Sequence, residues 1–206
     1  MANNIITIAR QYGSGGREIG EKLAKKLNIP YYDKELIAMA AKQSGFSEEI
    51  FEKADERATN SLLYSLMMGS YTFGGNVTSF NNMPINDKLF LIQADIIKKA
   101  AQEGPCVIVG RCGDYVLRDF KNVFHVFVHA DKLSRMDRAV KKYGVDLEKA
   151  ADFMAKKDKQ RANYYNFYTN RRWGDPENYH LTLNSSAYGV DNAVDIIVSA
   201  EAVFQG

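Results

Sequence analysis

Apolar residues follow two spacings along the chain, and short continuous runs alternate with helical repeats. Residues 4–9, NIITIA, form a β-branched run before a glycine-rich turn, which predicts a strand buried on both faces. After the turn, Ile19, Leu23 and Leu27 recur at helical spacing, while lysines and glutamates occupy the other face. The chain therefore opens with a strand, a glycine-rich loop and an amphipathic helix.

The same alternation continues through the rest of the sequence. Apolar runs predict further strands at 30–32, 106–109, 123–128 and 179–183, and helical patterns predict helices at 34–43, 84–103, 131–143, 146–168 and 190–203. Strands that alternate with helices indicate an α/β fold with a parallel sheet flanked by helices on both faces.

In such a sheet, ligands bind beyond the carboxyl ends of the strands. Residues 10–17, Asp33, residues 110–114 and the segment near His129 each follow a predicted strand. We therefore expect them to gather at one edge of the sheet, and the chemistry of the protein to lie there.

Residues 58–83 differ from the rest of the chain because apolar residues are mixed with Gly, Asn and Ser without a long period. We interpret this segment as a flap inserted into a single domain, 1–206, whose core is 1–57 and 84–206. Its apolar side chains would suit either closure over a substrate or association into a homo-oligomer; they include Met67, Met68, Tyr71 and Phe73.

Composition narrows the class of protein. The 206 residues are 46% hydrophobic and 25% charged, as in ordinary globular domains, and the net charge of +2 does not favour binding to nucleic acid. Two cysteines do not make a disulfide framework, which favours a reducing, cytoplasmic location. The sequence has no apolar run of about 20 residues, so no membrane span is predicted.

The turn after the first strand, R10-Q-Y-G-S-G-G-R17, is the clearest chemical feature. Three glycines in four positions exceed what a plain β–α turn needs, and they let the backbone approach an anion closely. We predict that Gly13, Ser14, Gly15, Gly16 and Arg17 bind phosphate, with Arg17 as a cation at the start of the helix.

The loop departs from the Walker A motif in two positions. Gly16 stands where the lysine belongs, and Glu18 stands at or near the Ser/Thr that binds the metal. Arg17 can replace the charge of the lysine. Glu18 is our candidate ligand for Mg²⁺, although without a metal its carboxylate would repel phosphate.

Four segments together resemble the cytidylate kinase-like family over essentially the full length: RQYGSGGREIG, YYDKEL, VIVGRCGDYVL and DKQRANYYNFYT. The resemblance implies a three-layer P-loop nucleoside monophosphate kinase fold with an acceptor-binding insertion and an arginine-rich helical lid at about 135–178. It also implies an enzyme that transfers the γ-phosphoryl group of ATP, with Mg²⁺, to a small-molecule nucleotide, CMP or dCMP.

The resemblance also assigns roles to individual residues. The loop from Gly13 to Arg17 would hold the ATP phosphates, and Asp33 and Arg111 would contact the acceptor monophosphate. The catalytic residues would be arginines around the transferred group, namely Arg17, Arg135, Arg138 and Arg161. From the residues alone, Arg111 could equally pair with Asp114 or Asp33.

One departure from the family leaves two alternatives open. Cytidylate kinases carry an aspartate just before the Gly-Arg pair, where this chain has Val109. The acceptor could therefore be another small metabolite. Because the Walker lysine and Ser/Thr are absent, a non-catalytic nucleotide-binding regulatory protein is the other alternative.

Clustered aromatics such as Tyr164, Tyr165 and Tyr168 are expected to pack in the core.

Overall fold

The computed structural model describes residues 5–33, 35–45, 47, 49 and 83–204. The predicted flap at 58–83 falls outside these residues, apart from Met83. The strands are β1 (Ile5–Arg10), β2 (Tyr31–Tyr32), β3 (Val107–Val109), β4 (Val123–His129) and β5 (Leu181–Asn184). The helices are α1 (Gly16–Leu27), α2 (Glu35–Ser44), α3 (Ile85–Glu103), α4 (Gly113–Val116), α5 (Lys132–Tyr143), α6 (Ala150–Thr169) and α7 (Ser185–Ala202).

The five strands form one sheet in the order β2-β3-β1-β4-β5, and every pairing is parallel. The registers place Ile6 beside Val107 on one neighbour and beside Phe124 on the other. The loop after β1 therefore leaves the middle of the sheet, between the ends of β3 and β4. The α/β prediction is confirmed, and β3 and β4 flank the central strand β1.

Helices cover both faces of the sheet and give the fold three layers. On one face, Ile19 of α1 and Ile197 of α7 pack with Ile6 and Ile8 of β1. On the other face, α2, α3 and α6 bury apolar side chains in a second cluster that includes Leu36, Ile97, Ile108, Tyr164, Tyr165 and Tyr168. The predicted core position of these tyrosines is confirmed, so the C-terminal half of α6, inside the predicted lid range, belongs to the core.

The last helix begins earlier than the sequence pattern predicts. We expected it at 190–203, whereas α7 begins at Ser185, immediately after β5. The side chain of Asn184 accepts a hydrogen bond from the backbone N–H of Ser186 and caps the helix. Gly189 then interrupts the helical backbone with a φ of +76°, which explains why the apolar helical period becomes visible only after it.

Both cysteines, Cys106 and Cys112, are buried and free. Among the helices that the structure describes, none combines the length and the apolar character needed to cross a membrane.

Candidate active site

The glycine-rich loop connects the carboxyl end of β1 to the N-terminus of α1. Gly13 and Gly15 both have a φ of +78°, a backbone conformation that favours glycine. A Cβ on Gly13 would lie 2.7 Å from the carbonyl oxygen of Arg135, so a side chain would also collide with α5. The first backbone N–H groups of α1, which begins after Gly15, are oriented to receive an anion.

Contacts from α5 and α6 hold the first half of this loop. The backbone N–H of Tyr12 donates to Asp158 Oδ1 at 2.7 Å, and Arg135 Nε donates to the carbonyl oxygen of Tyr12 at 2.7 Å. Arg135 and Asp158 also pair with each other, with 11% and 17% of their side chains exposed. The carboxylate and guanidinium thus fix the loop from both sides.

A serine from α7 holds the second half of the loop. The hydroxyl of Ser185 donates to the carbonyl oxygen of Ser14 at 2.5 Å and lies 3.1 Å from the carbonyl oxygen of His129. The hydroxyl of Ser14 turns inward and donates to the carbonyl oxygen of Gln11 at 2.9 Å. The sequence pattern does not single out Ser185; its only signal is its place soon after the predicted strand at 179–183, where a new helix can begin.

An open cavity of about 490 Å³ lies on one side of the loop. We call it the donor-side cavity, after the ATP that the sequence resemblance predicts at this loop; Gly13, Ser14, Leu133, Arg138, Lys142 and Ser186 line it. The guanidinium carbon of Arg138 lies 3.1 Å from the position that a Cβ on Gly15 would take. A predicted phosphate-binding arginine therefore lies directly against the loop.

Glu18 lies between α1 and α5, beside this cavity. Its Oε2 contacts Arg138 Nη1 at 2.5 Å and Lys142 Nζ at 2.6 Å, and its Oε1 lies 3.8 Å from Lys22 Nζ. The hydrogen bond from Lys142, together with Arg138, lowers the pKa of this carboxyl.

This environment favours an ion pair, and a carboxylate that already pairs with Arg138 and Lys142 is a poor fit for a metal ligand. No cluster of three or more His, Cys, Asp or Glu suited to a metal occurs in the described part of the chain. Glu18 as a ligand for Mg²⁺ stays a prediction.

A smaller cavity of about 90 Å³ lies on the other side of the loop, at the ends of β1 and β3. We call it the acceptor-side cavity. Its lining combines arginines with a carboxylate and aromatic rings, including Arg10, Arg111, Asp114, Arg161, Tyr165 and Trp173. The structure therefore brings Arg111 and Arg161 together, although they lie 50 positions apart in the sequence.

The turn that carries Arg111 has an unusual backbone. Gly110, Arg111 and Cys112 have φ values of +77°, +56° and +53° in succession. Left-handed conformations at residues other than glycine store strain, and such strain is concentrated at functional sites. The turn presents Arg111 to the acceptor-side cavity at this conformational cost.

Asp114 lies in the wall of the acceptor-side cavity and is only 5% exposed. Tyr165 donates its hydroxyl to Asp114 Oδ2 at 2.6 Å. Burial raises the pKa of the Asp114 carboxyl. Arg161 enters from α6, where its Nη1 donates to the carbonyl oxygen of Arg10 at 3.0 Å and its guanidinium carbon lies 5.6 Å from the centre of the Tyr12 ring.

Arg17 and Asp33 pair with each other. Arg17 Nε lies 3.0 Å from Asp33 Oδ2 and 3.4 Å from Glu21 Oε1, and 47% of the Arg17 side chain is exposed. Arg17 lines neither cavity. Asp33 is buried and also lies 3.8 Å from Arg10 Nη2. Of the predicted arginines, Arg138 thus faces the donor side, Arg111 and Arg161 face the acceptor side, and Arg17 and Arg135 contact protein groups.

Solved structures with a similar fold cover nearly all of the chain. An uncharacterized protein from Eubacterium ventriosum is 29% identical with a TM-score of 0.71, and the match covers 98% of this chain and 99% of that one. Shikimate kinase from Bacteroides thetaiotaomicron is 14% identical with a TM-score of 0.56, covering 97% and 99%. A gluconokinase from Sinorhizobium meliloti is 13% identical with a TM-score of 0.56, covering 98% and 93%. The last two show that the fold is that of P-loop kinases.

Among curated proteins, uronate isomerase from Corynebacterium glutamicum is 27% identical over 143 residues. That match covers 69% of this chain, but the chain spans only 27% of the length of the isomerase.

A family model matches residues 5–187, which is most of the chain. The family and the fold together support phosphoryl transfer and, in general terms, the use of ATP and a metal. The resemblance read from the glycine-rich loop, the Gly-Arg turn and the DKQR segment is thereby confirmed: the chain belongs to the cytidylate kinase-like family.

Proposed function

We propose that the protein is a nucleoside monophosphate kinase that transfers the γ-phosphoryl group of ATP to CMP or dCMP. The observation that carries this proposal is the position of the glycine-rich loop between an open cavity and an arginine-lined cavity, at the carboxyl ends of β1 and β3. A donor on one side and an acceptor on the other would meet above α1.

The donor side suits a nucleoside triphosphate. Backbone N–H groups at the start of α1 would bind its phosphates, and Arg138 supplies a cation against Gly15. Asp158, Arg135 and Ser185 hold the loop in place, so little reorganisation is needed when the donor binds. In this proposal Arg135 is a positioning residue.

The acceptor side suits a small molecule with an anionic group. Arg111 and Arg161 line the same cavity, and guanidinium groups bind phosphate through paired N–H donors. An acceptor phosphate anchored there would have its oxygen aimed at the loop. Asp33, buried just after β2, pairs with Arg17 and lies 3.8 Å from Arg10 Nη2, beside this cavity.

The reaction needs positioning more than a covalent residue. An oxygen of the acceptor phosphate attacks the γ-phosphorus in line, the bond from that phosphorus to the β–γ bridging oxygen breaks, and ADP leaves with the electron pair. The product is a nucleoside diphosphate. Cations around the equatorial oxygens stabilise the charge of the transition state, and Arg161 and Arg138 approach from the two sides.

The test is ADP release from Mg-ATP by the pure protein with CMP, dCMP, UMP or AMP as acceptor, beside a control without acceptor. We expect turnover with CMP or dCMP that falls strongly in Arg111→Gln. The matched control is Arg118→Gln, an exposed arginine that pairs with Asp119 before β4 begins. ADP release at the same rate with and without an acceptor would contradict the proposal.

A second candidate is a kinase for a smaller anionic acceptor. The acceptor-side cavity formed by the described residues is about 90 Å³, below the roughly 300 Å³ of ordinary small-molecule pockets, and Val109 replaces the aspartate of cytidylate kinases. A panel of small phosphorylated and carboxylated acceptors in the same assay separates the two. Saturable ATP binding with no turnover for any acceptor would instead favour a regulatory nucleotide-binding protein.

A further inference from the structure

We propose that Arg10 binds the transferred phosphoryl group and supplies the positive charge that the loop lacks at Gly16. The inference rests on the proposed function, because it assumes a donor triphosphate on the loop. Arg10 is the last residue of β1 and precedes the glycines of the loop.

The first observation is where the Arg10 side chain leaves the strand. A Cβ on Gly16 would lie 2.6 Å from the Cβ of Arg10, closer than such atoms approach each other, and 3.3 Å from the Cβ of Val128. Gly16 aligns with the Walker lysine. The stem of Arg10 therefore occupies the space in which a lysine side chain would start.

The second observation is where the guanidinium ends. A Cβ on Gly110 would collide with Arg10 Nη1, so the guanidinium passes against the Gly110 turn of β3. Arg10 lines the acceptor-side cavity, and 21% of its side chain is exposed. The stem of Arg10 thus lies at the phosphate loop, and its guanidinium lies at the acceptor-side cavity. In the proposed reaction, the transferred phosphoryl group would move between these two places.

The third observation is the way nearby groups arrange this charge. Asp33 Oδ1 lies 3.8 Å from Arg10 Nη2, beyond hydrogen-bonding distance, whereas Arg17 Nε lies 3.0 Å from Asp33 Oδ2. Arg17 therefore holds the carboxylate of Asp33, and this carboxylate lies close enough to Arg10 to balance its positive charge. Arg161 donates to the backbone carbonyl oxygen of Arg10, and both arginines line the acceptor-side cavity.

A comparison of ATP and ADP affinities measures how much the γ-phosphate contributes to binding, and this contribution tests the role of Arg10. Wild-type protein should bind ATP more tightly than ADP in calorimetric titrations. In Arg10→Gln, we expect ATP affinity to fall about 10-fold to 100-fold, because a charge-assisted hydrogen bond is lost, while ADP affinity changes less than about two-fold. Arg118→Gln, the same exchange far from the loop, should leave both affinities unchanged.

A rescue experiment separates this role from a structural one. Gly16→Lys alone should fail to bind ATP, because its Cβ collides with Arg10. Arg10→Gly removes both the cation and the colliding Cβ. In the double variant Arg10→Gly/Gly16→Lys, a lysine occupies the vacated space, and the preference for ATP over ADP should return. Circular dichroism of each variant shows whether it is folded.

Three results would overturn the inference. One is an equal loss of ADP and ATP affinity in Arg10→Gln, which would indicate a structural role. Another is an unchanged ATP-to-ADP ratio with a raised KM for the acceptor, which would make Arg10 an acceptor ligand only. The third is a folded double variant without ATP preference. If the wild type prefers ATP but phosphorylates no acceptor, the proposed function fails while the role of Arg10 in binding the γ-phosphate stands.

Discussion

The two sides of the glycine-rich loop are built in different ways. On the donor side, charged groups from α1 and α5 pair at the surface, where Glu18 contacts Arg138 and Lys142 beside a cavity of about 490 Å³. On the acceptor side, the cavity is about 90 Å³, and its carboxylate, Asp114, is buried under the hydroxyl of Tyr165.

Two carboxyl groups show what this difference does. Neighbouring cations lower the pKa of Glu18, and burial raises the pKa of Asp114. Partly exposed ion pairs contribute less free energy than buried ones and can rearrange around a ligand, whereas buried polar groups depend on their few partners. We therefore expect substitutions on the acceptor side to cost much more activity than substitutions on the donor side.

The largest effect is expected for Arg161→Ala. The substitution removes a cation from the acceptor-side cavity and the hydrogen bond to the carbonyl oxygen of Arg10. If the proposed function holds, kcat/KM should fall about 100-fold to 1,000-fold, as when one donor to a transition-state oxyanion is lost. Steady-state kinetics with the best acceptor measure this, and Arg118→Ala should stay within about two-fold of wild type. Full turnover in Arg161→Ala would remove the residue from the site.

The next largest effect is expected for Asp158, which holds the glycine-rich loop between the two cavities. Asp158→Asn keeps the shape of the side chain but loses the charge that pairs with Arg135, and both groups are mostly buried. We expect the free energy of unfolding to fall by about 2 kcal/mol, because a charged partner is left without its counterion. Urea unfolding measures this loss. Asp152→Asn, an exposed change on the same helix, should alter stability by less than about 0.5 kcal/mol, and an equal loss in the two variants would contradict a special role for Asp158.

Much of the fold could be predicted because it depends on local patterns. The apolar run at 123–128 predicts a buried strand, and the amphipathic period of residues 19–27 predicts a helix with one apolar face. The order of such elements then places the loop at the carboxyl edge. The start of α7 was missed because Gly189 interrupts its period.

The candidate site was harder to predict because it depends on side chains that cross between elements. In the sequence, Gly16 shows only that the Walker lysine is absent. The side chain that fills the space comes from Arg10 and passes Gly110, the residue after β3. Arg17 was expected to face phosphate, but Asp33 at the end of β2 and Glu21 one helical turn later compete for it. No rule of sequence spacing predicts which of these partners Arg17 contacts.

A smaller effect on the donor side distinguishes two roles for Glu18. If the carboxylate only pairs with Arg138 and Lys142, Glu18→Gln releases both cations, and ATP affinity should rise roughly two-fold to five-fold. If it binds the metal, Mg-ATP affinity should fall while ATP affinity without Mg²⁺ does not. Calorimetric titration with and without Mg²⁺ decides between them, and Glu148→Gln, an exposed glutamate outside the cavity, is the matched control.

The smallest effect is the pH dependence of these same ion pairs. The folded pKa of Glu18 lies below its ordinary value of 4.5, so its contribution to stability is present above that value and is lost as the pH falls through the folded pKa. The difference in unfolding free energy between wild type and Glu18→Gln should be at most about 1 kcal/mol, constant from about pH 8 to pH 6, and should vanish in stronger acid. Denaturant unfolding across this range measures it. A difference that stays constant into strong acid would mean that the loss does not come from the charge of Glu18. Together with tighter ATP binding by Glu18→Gln, the expected profile would show that the donor side keeps a carboxylate that stabilises the fold and opposes the ligand.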